Sequence, residues 1–186
     1  MRFALPLLAI IGACGGGPAT TTAPTSAGTE SGGAGDPEAR FGPLEVGADY
    51  ASYTRLTDKP FLSLDHGNRW VEVYVNEVGR AAYEDAAEIP VGTVLVKTSW
   101  LDDDGTPSAI AGPIFVMQKR APGYAPEHGD WWYAIHWANP PATSARASGG
   151  PIYWRGRSQR AAYCYDCHDS YDRSLGGLIP SSILKR

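Results

Sequence analysis

The chain has few cysteines, no long hydrophobic run and no concentration of basic charge, and each shortage restricts what it can be. Three cysteines occur in 186 residues. The apolar run at residues 3–11 is too short to span a bilayer as a helix. The 16 Lys and Arg residues are scattered among 20 Asp and Glu, and no basic stripe alternates with aromatic side chains. We therefore do not expect nucleic acid as a partner.

The N-terminus has the layout of an export signal. Arg2 precedes the apolar run and Gly12-Ala13-Cys14 follows it, which predicts a signal peptide over residues 1–13. The tetrapeptide 11–14 resembles the lipobox of bacterial lipoproteins, in which the cysteine becomes the N-terminus and carries the lipid. The resemblance implies that Cys14 anchors the protein to the outer membrane, facing the periplasm, without a spanning helix. The alternative is ordinary signal cleavage near Ala13.

Composition divides the rest of the chain into two parts. Residues 14–39 are almost entirely Gly, Ala, Thr, Ser and Pro. Such a segment cannot bury enough apolar surface to fold, so we predict a flexible linker there. Residues 40–186 contain every Trp and Tyr of the chain and have the length of one domain.

The pentapeptide Cys164-Tyr165-Asp166-Cys167-His168 is the attachment sequence for a c-type haem. Its two thiols add to the porphyrin vinyl groups, and the adjacent imidazole ligates the iron. We predict one covalent haem c on Cys164 and Cys167, with His168 as the axial ligand. Two alternatives are less favoured. A redox-active dithiol would need a βαβ context, and the residues before Cys164 show no such alternation. A zinc site usually needs a second pair of ligands, and the chain has no second Cys pair. Because Cys14 is assigned to lipid, no cysteine remains for a structural disulfide, and a hydrophobic core must hold the fold.

Alternating β-branched and aromatic residues predict strands, and turn-forming residues separate them. The predicted strands are 69–76, 91–100, 114–119 and 131–138, and the predicted helices are 48–56, 79–87 and 157–167. Short connections, such as the turn at 104–107, favour antiparallel pairing. We read residues 139–153 as a loop. The expected fold class is α+β, mainly an antiparallel β-sheet with a few helices and the haem at one side of the sheet.

Several segments, in this order, resemble the cytochrome P-460 family, which includes the beta-type cytochromes c-prime. They are residues 66–69, 73–76, 90–97 (PVGTVLVK), 116–124 (VMQKRAPGY), 129–133 (GDWWY) and the haem motif. The resemblance extends from about Tyr50 to His168. After His168 the chain departs from the ending that is typical of the family.

The resemblance implies a mostly antiparallel sheet, a homodimer and a five-coordinate haem iron with an open distal face. It also implies a role for Lys97, because hydroxylamine-oxidising members bond a lysine at this strand end to a porphyrin meso carbon. Members differ in whether that bond forms. The alternative for Lys97 is a strand-end side chain that extends to solvent.

Four other side chains bear on whether the iron keeps an open sixth position. Met117 lies in a strand beside core residues, so we expect it to pack rather than ligate iron. His136 lies in an aromatic strand, and we expect a hydrogen-bonded histidine in the core or at the pocket rim. His66 and His128 each neighbour a glycine in a turn, so we expect exposed residues without iron contact. An open site is the favoured state.

The distal base is the least defined part of the predicted site. Glu72 interrupts an apolar strand and is a candidate, because a desolvated carboxylate could accept protons from a bound substrate. Alternation, however, places it on the same face as Trp70 and Tyr74, and the alternative is an outward-facing carboxylate. Arg69 is a second candidate for the pocket.

Together these observations predict an oxidoreductase that acts on hydroxylamine or a related small nitrogen species and passes electrons to a redox partner protein. One alternative is non-enzymatic binding of nitric oxide or another gas. The other is electron transfer alone, with Met117 or His136 as the sixth ligand. The membrane would be contacted through the lipid anchor only.

Overall fold

The computed structural model describes residues 48–84 and 87–170. The predicted signal peptide, linker and lipidated Cys14 lie outside the described residues. The strands are Thr54–Arg55 (β1), Phe61–Ser63 (β2), Arg69–Val75 (β3), Val94–Asp103 (β4), Thr106–Ala111 (β5), Ile114–Lys119 (β6), Trp131–Trp137 (β7) and Ile152–Arg155 (β8). The α-helices are Glu77–Glu84 (α1), Ala142–Ser148 (α2) and Ala162–His168 (α3), and 3-10 helices occur at Ala48–Ser52, Pro126–His128 and Gln159–Ala161.

The eight strands form one antiparallel sheet. Its order is β1-β3-β4-β6-β7-β8, with β2 also paired to β3 and β5 also paired to β4. Neighbouring strands in this order are close in sequence, as short antiparallel connections require. No helix in the described part of the chain is long and apolar enough to cross a membrane.

The register of the pairs defines two faces of the sheet. Val73 is opposite Lys97, Lys97 is opposite Phe115, and Phe115 is opposite Ile135. These residues point to one face, which we call the pocket face, because side chains opposite each other in a sheet share a side. The alternate residues point to the other side, the far face. There Val96, Val116 and Ala134 are buried in a second core cluster.

Helix α1 packs on the sheet and is joined to it by the side chains of Asn76 and Ala82. The Asn76 side chain accepts hydrogen bonds from the backbone N–H groups of Gly79 (3.2 Å) and Val94 (3.1 Å), so it caps the helix and joins it to β4. Ala82 of α1 belongs to the core cluster that contains Val73 and Leu95. The helix therefore covers part of the pocket face.

The structure confirms the α+β prediction and corrects element bounds. The predicted turn at 104–107 is shorter, because Asp104 and Gly105, with φ of 48° and 84°, form the whole connection between β4 and β5. Two successive positive φ angles match the right-handed twist of a hairpin, which is why Asp-Gly favours this turn. The chain from Thr106 onwards is a strand.

Three other segments differ from expectation. The predicted helix 157–167 is a 3-10 helix at Gln159–Ala161 followed directly by α3. The helix predicted over 48–56 is a 3-10 helix that ends at Ser52, because Thr54 and Arg55 pair with β3. The predicted loop 139–153 contains α2 and the start of β8. Alanine-rich sequence favours the helix, and pairing with β7 supplies the strand's hydrogen bonds.

We predict that Gly79→Ala destabilises the protein, although alanine usually stabilises a helix relative to glycine. A Cβ at Gly79 would lie 2.4 Å from Thr93 Cγ2 and 2.9 Å from Val75 Cγ2. Both neighbours are β-branched and buried, so the expected loss in the free energy of unfolding is about 1–3 kcal/mol. Denaturant unfolding measures it, and Thr93→Ser in the same chain should recover part of the loss. Unchanged or higher stability would contradict this packing.

Candidate haem site

Helix α3 brings the three residues of the haem motif to one wall of a pocket. Cys164, Cys167 and His168 are three and four positions apart, a spacing that places side chains on one side of a helix. The pocket lies between α3 and the pocket face of the sheet and is open to solvent on one side. Its lining comprises Asp65, His66, Leu95, Lys97, Phe115, Val116, Met117, Tyr133, Ala134, Ile135, Tyr163, Cys164, Cys167 and His168.

Aromatic contacts hold α3 against the sheet. Tyr165, between the two cysteines, is buried, and its ring centroid lies 4.7 Å from that of Tyr133 on β7. On its other side the Tyr165 ring lies 4.5 Å from His128, whose Nδ1 hydrogen-bonds the Asp169 carboxylate just after α3. His128 is partly exposed and is not among the lining residues. It therefore contacts the helix rather than the pocket.

His168 is buried within the same aromatic packing. It is 6% exposed, and its ring centroid lies 5.0 Å from that of Tyr133. The buried imidazole lies on the same helical face as the two cysteines. Together they are the groups that c-type haem attachment needs, namely one ligand for the iron and two thiols for the vinyl groups. The apolar residues of the opposite wall, including Phe115 and Ile135, suit a porphyrin face. These residues fit a covalently attached haem.

The two alternatives for the motif find no support in this geometry. Burial raises the pKa of the Cys164 thiol to about 12, whereas a redox-active dithiol needs a lowered pKa, usually at a helix N-terminus. Tyr163 and Cys164 lie in the first turn of α3, and the motif runs from there to the last residue of the helix, so burial of Cys164, and not its place along the helix, is the observation against a redox-active dithiol. Among residues 48–84 and 87–170, no group of three or more His, Cys, Asp or Glu side chains is arranged to hold a metal ion by itself. A zinc site would need four such ligands.

The structure places Lys97 inside this pocket. Its Nζ lies 3.1 Å from Nε2 of His66. Burial lowers the pKa of Lys97 to about 8, an effect partly opposed by nearby Cys167, Cys164 and Asp65. The Lys97 side chain is half-buried and lines the pocket, which argues against the alternative of a strand-end lysine that extends away into solvent.

The prediction that His66 is an exposed turn residue was wrong. His66 lines the pocket, its Nδ1 lies 2.8 Å from Ser63 Oγ, and its ring contacts Phe115 edge-on at 4.9 Å. Burial lowers its pKa to about 2, with further contributions from Lys97 and His168. The turn between β2 and β3 folds over the pocket face and carries His66 inward. The sequence contains no signal for this placement, because it depends on how β2 pairs with β3.

Asp65 is a second pocket residue that the sequence reasoning missed. It is exposed, yet it is among the residues that line the pocket. Its carboxylate is close enough to raise the pKa of Lys97. Asp65 directly precedes His66 in the turn that folds over the pocket, so it lies next to the pocket and remains exposed to solvent. Asp65 therefore supplies a carboxylate at the pocket opening.

The structure separates Met117 from His136. Met117 lies on the pocket face, is buried, and both lines the pocket and packs in the core cluster with Leu95. His136 is opposite Ile114 and Tyr153 on the far face, so strand alternation directs it away from the pocket. His136 is buried as expected, but neither ring nitrogen has a hydrogen-bond partner among the described residues. The expectation of a hydrogen-bonded His136 was wrong.

The two remaining candidates do not line the pocket. Glu72 lies on the far face, where it accepts hydrogen bonds from Arg55 (3.1 Å) and from the Tyr74 hydroxyl (2.7 Å). This placement removes Glu72 as a base for the pocket. Arg69 lies on the pocket face beyond the lining residues, with its guanidinium carbon 4.8 Å from the Trp137 ring centroid. Its buried Nη1 has no hydrogen-bond partner among the described residues.

The comparison with known protein families agrees with the site. The model of a family described as Cytochrome P460 matches residues 49–174. The match includes both the pocket face and the haem motif. No curated protein sequence matches the chain.

We predict that replacing Cys164 and Cys167 by alanine abolishes covalent haem, because among the described residues these are the two cysteines that line the pocket. After expression in a host that attaches c-type haem, the double variant should show no haem stain on a denaturing gel. Cys14→Ser is the matched control, since it removes a cysteine outside the haem motif, and it should keep the stain. Stain that survives in the double variant would contradict attachment at α3.

Proposed function

The chain belongs to the cytochrome P460 family, and from this premise we propose that it is a mono-haem cytochrome that oxidises hydroxylamine or a related small nitrogen species. One observation supports the proposal above the others. Lys97 lines the same pocket as Cys164, Cys167 and His168. A haem attached to the two cysteines would therefore occupy the pocket that also contains the Lys97 amine. That is the lysine position at which the family's hydroxylamine-oxidising members carry the bond to the porphyrin.

The proposed attachment assigns a separate role to each residue of α3. The thiols of Cys164 and Cys167 would form the two thioether bonds, and His168 would ligate the iron. Bound in this way, haem would supply an iron open to a small nitrogen compound and a conjugated ring that can take up electrons.

The pocket walls provide the remaining functions. Leu95, Phe115 and Ile135 present an apolar surface that excludes water from the reacting nitrogen. We propose Asp65, an exposed carboxylate among the lining residues, as the acceptor of protons that leave the substrate, the role predicted from the sequence for Glu72. Electrons then pass to a redox partner protein.

A second function, non-enzymatic binding of nitric oxide or another small gas, is favoured by the apolar character of the wall opposite α3. A diatomic ligand needs an open iron but no proton acceptor. Electron transfer alone would require a sixth ligand. Met117 lies on the pocket face and could serve, whereas His136 is directed to the far face.

We also propose that the protein is exported and lipid-anchored through Cys14, facing the periplasm from the outer membrane, and that it forms a homodimer. The support for the anchor is the order of a basic residue, an apolar run and a lipobox-like Ile11-Gly12-Ala13-Cys14. The support for the dimer is the family resemblance. A periplasmic location would give the haem access to small diffusible nitrogen compounds.

We predict that Lys97→Ala abolishes both a red-shifted ferrous Soret band and hydroxylamine oxidation. The reason is that the variant loses the amine that would bond to the porphyrin. Lys119→Ala is the matched control, because Lys119 is also on the pocket face but donates to the Gly129 carbonyl outside the pocket. A wild-type spectrum of ordinary high-spin c-haem without turnover would favour gas binding. A low-spin six-coordinate spectrum would favour electron transfer.

We predict that Cys14→Ser moves the protein from the membrane fraction to the soluble periplasmic fraction, because the variant has no thiol to lipidate. Fractionation of the expressing cells measures this, and the intact mass of the wild type should include the lipid. Continued membrane association of the variant would contradict anchoring at Cys14.

A further inference from the structure

Three side chains form a hydrogen-bonded line that ends inside the pocket. Ser63 Oγ lies 2.8 Å from His66 Nδ1, and His66 Nε2 lies 3.1 Å from Lys97 Nζ. Ser63 is the last residue of β2 and Lys97 is in the middle of β4. These two strands do not pair with each other, since β3 lies between them. His66 therefore connects two separated strands across the pocket face.

The direction of each hydrogen bond follows from the chemistry of the groups. A lysine amine donates, so His66 Nε2 accepts from Lys97. A neutral imidazole has one acceptor and one donor, so Nδ1 carries the hydrogen and donates to Ser63 Oγ. Ser63 thereby selects the ring form that offers Nε2 to the lysine. A hydrogen bond to the remote nitrogen is the usual means of fixing an imidazole's tautomer and orientation.

The ring of His66 is held in place from two other directions. Phe115, opposite Lys97 on the pocket face, contacts it edge-on with centroids 4.9 Å apart. The turn that follows it is tight, with Gly67 and Asn68 at φ of 78° and 55° and both backbone N–H groups bonded to the Leu64 carbonyl at 3.2 Å. The imidazole is thus restrained by packing, backbone and a hydrogen bond.

We propose that His66 is the positioning residue for Lys97, holding its amine at the place in the pocket where it bonds to the haem edge. Without this acceptor, the four-carbon side chain of Lys97 would sample several rotamers. When Nε2 of His66 accepts a hydrogen bond from Lys97, one N–H of the amine points to His66. The lone pair and the other N–H are then directed to other parts of the pocket. Cys164 and Cys167 line that same space.

The bond-forming step that His66 would assist is an oxidation. Lys97 Nζ loses one N–H bond, a porphyrin meso carbon loses its C–H bond, and one C–N bond forms. Two protons and two electrons leave. A peroxide accepts the electrons and, with two protons, is reduced to two molecules of water. Lys97 Nζ keeps one N–H after the reaction and can continue to donate to His66.

This inference rests on the proposed function, in which Lys97 bonds to the haem. Its test uses the mature holoprotein, before and after addition of equimolar hydrogen peroxide. Mass spectrometry of a tryptic digest reports the product directly, because a Lys97 peptide joined through haem to the Cys164–Cys167 peptide is detected as one species. The rate of its formation measures how well the amine is placed, independently of turnover.

Three variants and one control separate positioning from folding. His66→Leu keeps most of the side-chain volume but removes the acceptor, and we expect bond formation to slow by about tenfold or more, the cost of ordering a free lysine side chain. His66→Gln keeps an acceptor and should restore most of the rate. Ser63→Ala frees the ring and should give an intermediate rate. His136→Leu, on the far face, should react as the wild type does.

The outcomes are distinct. A wild-type rate in His66→Leu would overturn the proposal, as would failure of Ser63→Ala to slow the reaction if the leucine variant does not fold. A wild type without any joined peptide would also overturn it. Hydroxylamine turnover by the wild type, measured separately, decides the proposed function. A joined peptide without turnover would refute that function and leave the role of His66 intact.

Discussion

The packing of α3 on the pocket face, through Tyr165 against Tyr133, is the interaction on which the rest of the site depends. The two rings meet edge to face at 4.7 Å, and Tyr133 also contacts His168. Edge-to-face aromatic pairs add stability beyond the area that they bury. Because Tyr165 lies between the two cysteines, this contact determines that the thiols and the imidazole face the pocket.

The register of the sheet is the second constraint. Lys97 is opposite Val73 on one side and Phe115 on the other, so all three share the pocket face. A shift of one residue would have turned Lys97 to the far face, since side chains alternate along a strand. Glu72 illustrates the same rule from the other direction. It is adjacent to Val73 in sequence, yet it accepts a hydrogen bond from Arg55 on the far face.

Much of the fold and part of the site could be predicted from local pattern. The strands β3, β4, β6 and β7 are rich in β-branched and aromatic residues, and β7, which is buried along its whole length, is an almost continuous apolar run. Short elements such as β1 and β2 have no such pattern, because two or three residues are strands only through pairing with β3. His66 was expected to be exposed because it neighbours a glycine in a turn, and the pairing of β2 with β3 that carries this turn over the pocket face has no local signal.

By itself, the sequence determined the chemistry: a spacing of three and four residues places two thiols and an imidazole on one helical face wherever that helix lies. It also placed Lys97 in a strand. Only the tertiary structure decided what surrounds these groups. It directed Lys97 to the pocket and Glu72 away from it, and brought His66 within 3.1 Å of Lys97 across 31 positions of chain. Covalent spacing is local, whereas contacts between distant residues depend on strand register, which the whole core sets.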